Sequence, residues 1–188
     1  MRRVFGALPV TVAFAATLAA APAVAQQSII DDLKMDLNQV EEKLMGLART
    51  MPAESYDWRP GEGVRSVGEV FQHVAADNYF LPTAVDIMAP AATGIKPNDY
   101  GSVQAYEART ISRDQIIAEL EQSFTFLKNA MKGTDPAKLG ESVSLFGNTF
   151  TVQQLWVITV THLHEHLGQA IAYARTNDVV PPWSRGGM

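Results

Sequence analysis

The stretch from Thr151 to Thr176, TVQQLWVITVTHLHEHLGQAIAYART, decides how this chain is read. Thr151 supplies a hydroxyl for a helix N-cap, Gln154 completes a capping box three residues on, and Asn177 is a natural stop. Between them Trp156, Leu163, Leu167, Ala170 and Ala174 fall on one side of a helical wheel. Leu155, Ile158 and Tyr173 fall on a second stripe, and only Gln154, Thr161, Glu165 and Gly168 form a solvated band. A helix this long and apolar on most of its girth needs other helices around it.

The second stripe also carries His162, His166 and Gln169. Four residues advance a helix by about 400°, so the imidazoles of His162 and His166 leave one face a turn apart, within reach of one divalent metal ion. His164 projects away from the pair, as a packing, surface or subunit-contact residue. The order His-Leu-His-Glu-His is not the H-E-x-x-H of a metalloprotease helix. The chain has four histidines, and the remaining one, His73, lies in an earlier helical segment with Glu69, Asp77, Phe80 and Ala84 on its side. Three histidines then make a metal site, His73, His162 and His166, with an open position for water or substrate. Asp77 and Glu165 are the candidates for proton transfer, Asp77 alternatively being an additional ligand, a solvated helix residue or a support behind a ligand, and Gln169 is the candidate for orienting a ligand. The rival reading is a set of core histidines hydrogen-bonded to backbone or carboxylates.

Working outward, three more long helices are expected. One runs from about Ser28 to Thr50 on Ile29, Ile30, Leu33, Leu37, Val40, Leu44 and Leu47. After a loop over 51–65, Ser66 caps a second with Glu69 as its box partner, and Pro82 kinks or interrupts it. A short helix over 102–109 is followed by a long one from Ser112 to about Lys132, with Ile116, Leu120, Phe124 and Leu127 inward. Residues 142–150 alternate and contain Gly147-Asn148, which suggests a small β-hairpin before the last helix. The fold class is all-α, a four-helix bundle. Trp58, Tyr79, Phe80 and Tyr173 read as core or pocket wall, and Arg59 and Arg65 as surface residues or carboxylate binders.

The N-terminus reads as an export signal. Arg2 and Arg3 precede an apolar run, and Ala23-Val24-Ala25 has the small-residue pattern of a cleavage site. The expected organisation is a signal peptide over 1–25, a bundle over 26–176 and a tail over 177–188, in a bacterial periplasm or outside the cell. Without Arg2 and Arg3, 13 basic residues face 20 acidic ones, a formal charge of −7. That acidity, with no basic stripe, argues against nucleic acid and against anionic membrane surfaces. Cysteine is absent, which excludes disulfides, thiolate nucleophiles and Cys-ligated zinc.

Tyr56-Asp57-Trp58-Arg59-Pro60, Arg65-Ser66-Val67-Gly68-Glu69 leading to His73, and His162-x-x-x-His166-x-Gly168-Gln169 together carry a resemblance over most of 28–176. The chain resembles the DinB-like, or YfiT-like, family of four-helix-bundle metalloproteins, which is distinct from the translesion polymerase of similar name. The resemblance implies a divalent metal, commonly zinc or nickel, on His73, His162 and His166. It also implies a small-molecule substrate, a homodimer in many members, and in characterised relatives a low-molecular-weight thiol cosubstrate for S-transfer or isomerisation. Export departs from those cytoplasmic enzymes. Two chemistries stay open, hydrolysis and thiol transfer, alongside a non-catalytic metal- or ligand-binding bundle.

Overall fold

The computed structural model describes residues 20–185, with side chains from residue 29 onward. Five α-helices and one hairpin appear in the order α1 (Ala20–Thr50), α2 (Val67–Phe80), α3 (Tyr100–Glu107), α4 (Arg113–Lys132), β1 (Ser142–Leu145), β2 (Asn148–Thr151) and α5 (Val152–Thr176). The expected signal peptide falls on residues 1–19, outside the described residues, and on the opening turns of α1. The end of the tail, 186–188, also lies outside them. Among the described residues no helix is long and apolar enough to cross a membrane.

Three helix starts follow the local rules. Ser66, Ser112 and Thr151 each accept from the backbone N–H three residues on, while Glu69, Gln115 and Gln154 return a bond to the cap's own N–H. Each box satisfies two otherwise orphaned backbone donors. The expected start of α1 at Ser28 is corrected: the helix runs unbroken from Ala20. Pro22 falls in its first turn, where a missing N–H costs nothing, so no breaker precedes Ser28. Pro82 ends α2 as expected, opening a 3₁₀ turn over Leu81–Val85.

α1 packs against α4 and α5, and α2 packs against the same two helices, so the order around the bundle is α1, α4, α2, α5. The long helices that follow one another as α1 to α2, and as α4 to α5, therefore face each other diagonally, and their connections cross the ends of the bundle. This crossing lays α2 directly beside α5 although they are far apart in sequence. α3 covers α2 from a further side. Every residue of α2 except Glu69 is buried as a result.

The core draws on all four long helices. Leu37, Leu44 and Leu47 of α1, Phe71 and Val74 of α2, Leu120, Phe124 and Leu127 of α4, and Trp156 and Leu163 of α5 are almost completely buried. Each such side chain contributes roughly 1.5–3 kcal/mol on leaving water. Gln154, Thr161, Glu165 and Gly168 of α5 are exposed as the wheel expects, but so are Val157, His164 and Ala172, so the solvent face contains the expected band and is wider than it.

β1 and β2 pair antiparallel, with Leu145 opposite Asn148. The turn residues are Phe146 and Gly147, with φ of 52° and 76°. Positive φ at both central positions marks a type I′ turn, the form whose twist suits a two-residue hairpin. The turn therefore sits one residue earlier than Gly147-Asn148 suggested, because Asn148 pairs in the ladder.

Candidate metal centre

α2 and α5 lie side by side, and His73 from the first meets His162 and His166 from the second. One ring nitrogen of each lies within 4.8 Å of those of the other two. Their ring centroids are 5.3 Å apart for His73 and His162, 4.6 Å for His73 and His166, and 4.4 Å for His162 and His166. The rings meet edge to face. His73 and His166 are buried, and the His162 side chain is 23% exposed while its inward Nε2 is buried.

The outer nitrogens are tied down. Glu107, at the end of α3, places Oε1 2.7 Å from His73 Nδ1. Gln169 places its amide oxygen 2.9 Å from His166 Nδ1. A carboxylate and an amide oxygen can only accept here, so both rings carry their proton on Nδ1 and turn a lone pair on Nε2 inward. Each support is itself held. Arg65 donates to Glu107 at 3.2 Å, Gln169 donates to the Tyr173 hydroxyl at 3.0 Å, and that hydroxyl donates to the Arg65 carbonyl at 3.1 Å. The two supports thus close on the same loop residue, Arg65.

The inner atoms have no such partners. The Nε2 atoms of His162 and His166, and Oδ1 of Asp77, are buried and make no hydrogen bond. Asp77 Oδ2 lies 2.8 Å from His162 Nε2 and 3.4 Å from His73 Nε2. The first separation is short, but the oxygen lies outside the direction that a proton on His162 Nε2 would take. Burying lone pairs without donors costs free energy, and native proteins seldom leave several together. A cation among the three histidine nitrogens would satisfy the two orphaned Nε2 atoms, so this donor set fits a divalent metal.

Electrostatics agree with neutral ligands. Burial pushes the His166 pKa down to about 4; the bond to Gln169 opposes this, while the neighbouring His162 and His73 reinforce it. His166 is therefore an uncharged donor at neutral pH. Burial alone would raise Glu107, but the His73 N–H and the Arg65 guanidinium outweigh it and hold the carboxyl below its usual range.

The other expected residues are placed plainly. Gln169 touches His166. Asp77 approaches two of the three histidines, His162 and His73, through Oδ2. Glu165 does not: its side chain is 76% exposed, and its carboxylate lies 3.9 Å from His162 Nδ1, the nitrogen on the outer side of the ring. His164 points away from the cluster and meets Asp36 of α1 at 2.9 Å. Arg59 and Arg65 both hold carboxylates of the chain itself, Glu69 and Glu107. Tyr79, Phe80 and Tyr173 are buried, and Trp58 packs edge-on to Tyr173 at 5.3 Å.

Glu107 is the residue that the sequence reading missed. It stands at the end of an eight-residue helix with no marked periodicity, far along the chain from His73. α3 is fixed by its flanks, where the Tyr106 hydroxyl and the Arg109 guanidinium both bond Glu119 of α4, and Gln72 donates to the Arg109 carbonyl. The available signal was general: a ligating histidine usually gives its second N–H to a carboxylate or carbonyl.

A crossed four-helix bundle with three histidines from two neighbouring helices defines a class, and the sequence agrees with it. The model of the DinB superfamily matches residues 36–170, and the chain belongs to that superfamily. Among solved structures it is similar to a DinB-like protein of Bacillus cereus, at TM-score 0.66 and 13% identity, covering 81% of this chain and 95% of that one. The DinB-like protein YjoA of Bacillus subtilis superposes at TM-score 0.61 and 13% identity, covering 84% and 99%. YfiT of Bacillus subtilis, described as a probable metal-dependent hydrolase with an unusual four-helix bundle topology, does so at 0.61 and 15%, covering 80% and 89%. At these identities the likeness establishes the fold. No curated protein sequence matches the chain significantly.

Proposed function

We propose that this chain is an exported metal-dependent enzyme of hydrolase type, holding one divalent ion on His73, His162 and His166 and acting on a small molecule. The observation that carries the reading is the convergence of buried, unpartnered nitrogens with a buried carboxylate beside them. The description of YfiT as metal-dependent supports it from outside the chain.

His73, His162 and His166 would hold a divalent ion as neutral donors, and the ion would supply Lewis acidity toward a substrate carbonyl or phosphoryl oxygen and toward water. The protein's part is positioning and proton handling. Glu107 and Gln169 fix the tautomers of His73 and His166. Asp77 is the group placed to take up a proton, since Oδ1 has no other partner and Oδ2 already faces the imidazoles. Glu165, standing in solvent on the outer side of His162, has no such reach. With no cysteine in the chain, thiol transfer would need a thiol from outside, which an exported enzyme meets less readily than water.

The test is elemental analysis of the purified protein, followed by a hydrolase screen with and without chelator. One equivalent of zinc or nickel and chelator-sensitive hydrolysis are expected. A metal-bearing protein active only with an added thiol would replace hydrolysis by S-transfer. A metal-bearing protein silent in both screens would favour a binding bundle.

A further inference from the structure

Phe146 occupies a position that disfavours it. As the first central residue of a type I′ turn it holds φ at 52°, where Asn, Asp or Gly are the usual choices. A left-handed backbone brings an ordinary side chain's Cβ too close to the following carbonyl oxygen and is disfavoured. Its ring is also 60% exposed, so burial recovers little of that.

The ring is nevertheless engaged. It packs on Phe80 and on Tyr100, each with centroids 5.7 Å away, and those two rings stand 6.2 Å from one another. Hairpin tip, end of α2 and start of α3 thus contribute one ring each to a single cluster. Phe80 follows Asp77 by three residues and His73 by seven, so it continues the same face of α2 beyond the carboxylate. Tyr100 lies within the fields of Glu107, Asp77 and Arg65; its hydroxyl is raised first by burial and then by the two carboxylates, with Arg65 opposing. Phe80 thus stands two turns from His73 on α2, and Tyr100 stands two turns from Glu107 on α3 and is still 41% exposed. Strain retained in a bulky residue beside a candidate site calls for a function.

We propose that Phe146 and Tyr100, backed by the buried Phe80, form a subsite for a flat apolar group, such as an aromatic ring, on a substrate whose polar end reaches His73, His162 and His166. Phe146 sets this specificity, and the subsite rests on the metal reading above. The edges and faces of the two exposed rings can stack on a planar group, which an aliphatic chain uses less well.

Two small metal chelators separate the questions. Benzohydroxamate and acetohydroxamate share their metal-binding end and differ in the ring, so each is titrated calorimetrically into the cobalt(II)-loaded full-length protein and its Phe146→Asn variant. The wild type is expected to bind benzohydroxamate about tenfold more tightly. Phe146→Asn is expected to bind both alike, with acetohydroxamate affinity unchanged. The variant creates Asn-Gly at the turn, so its Tm should match or exceed the wild type, which excludes misfolding as the cause. Equal affinities in the wild type, or a preference that survives in Phe146→Asn, overturn the subsite while leaving the metal centre standing. Failure of both proteins to retain cobalt overturns the metal reading and the subsite with it.

Discussion

Glu107 Oε1 lies 2.7 Å from His73 Nδ1, so a carboxylate on the short helix α3 holds an imidazole of α2 in one tautomer. α3 packs on α2 and bonds α4 through Tyr106 and Arg109, so an element outside the four long helices sets the aim of a candidate ligand.

Glu107→Gln should therefore weaken metal binding by about 10- to 100-fold while leaving the helical content intact. An amide can still accept from His73, but it loses the charge that makes the ring a stronger donor and that pairs with Arg65. Competition titration against a fluorescent chelator reads the effect. Wild-type affinity in the variant would show that Glu107 only anchors α3.

Asp77→Asn separates proton handling from metal binding. The amide keeps the shape, and three histidines remain, so metal content should stay near one equivalent. Turnover should fall by about 10²–10⁴-fold, the usual contribution of a positioned general base. Loss of the metal in this variant would instead make Asp77 a ligand.

Acid should destabilise the metal-free protein in a defined window. His166 is held neutral to about pH 4 in the folded chain but takes a proton near 6.5 when unfolded. Between those values the unfolded chain binds more protons, so falling pH favours unfolding. Glu107 extends the effect downward, because a carboxyl with a depressed folded value contributes stability that is lost as pH falls through that value. The Tm of chelator-treated protein should hold steady above about pH 6.5 and decline below it, with the upper part of the decline flattened in His166→Gln. A flat profile down to pH 4.5, or an unaltered one in the variant, would speak against a buried neutral His166.

His164→Ala is the control within the same motif. Its contact with Asp36 is exposed, and such pairs are worth about 0–1 kcal/mol. Metal content should be unchanged by mass spectrometry under native conditions. A large loss of metal would assign the wrong pair of histidines on α5.

The helices were legible because their signals are local. Ser66 with Glu69 and Thr151 with Gln154 announce their own caps, and the wheel of α5 separates Leu163 from Glu165 without any tertiary information. The pair His162 and His166 was legible for the same reason, and His73 stood out because so few histidines compete. What the sequence hid is set by packing. Nothing in residues 100–107 marks Glu107 as the partner of His73, because their meeting depends on α3 being pinned to α4. Phe146 hid in a different way: a phenylalanine before glycine does not look like the turn residue that it is. Glu165 misled through adjacency, since neighbours on a helix face different directions and only three- or four-residue spacing shares a side.

Metal stoichiometry in His166→Ala tests the central claim most directly. The wild-type protein, purified without chelator, should carry about one divalent ion per chain by elemental analysis, and His166→Ala should carry almost none while its circular dichroism keeps the helical signal. Equal metal in both proteins, or none in the wild type, would contradict a cation shared by His73, His162 and His166.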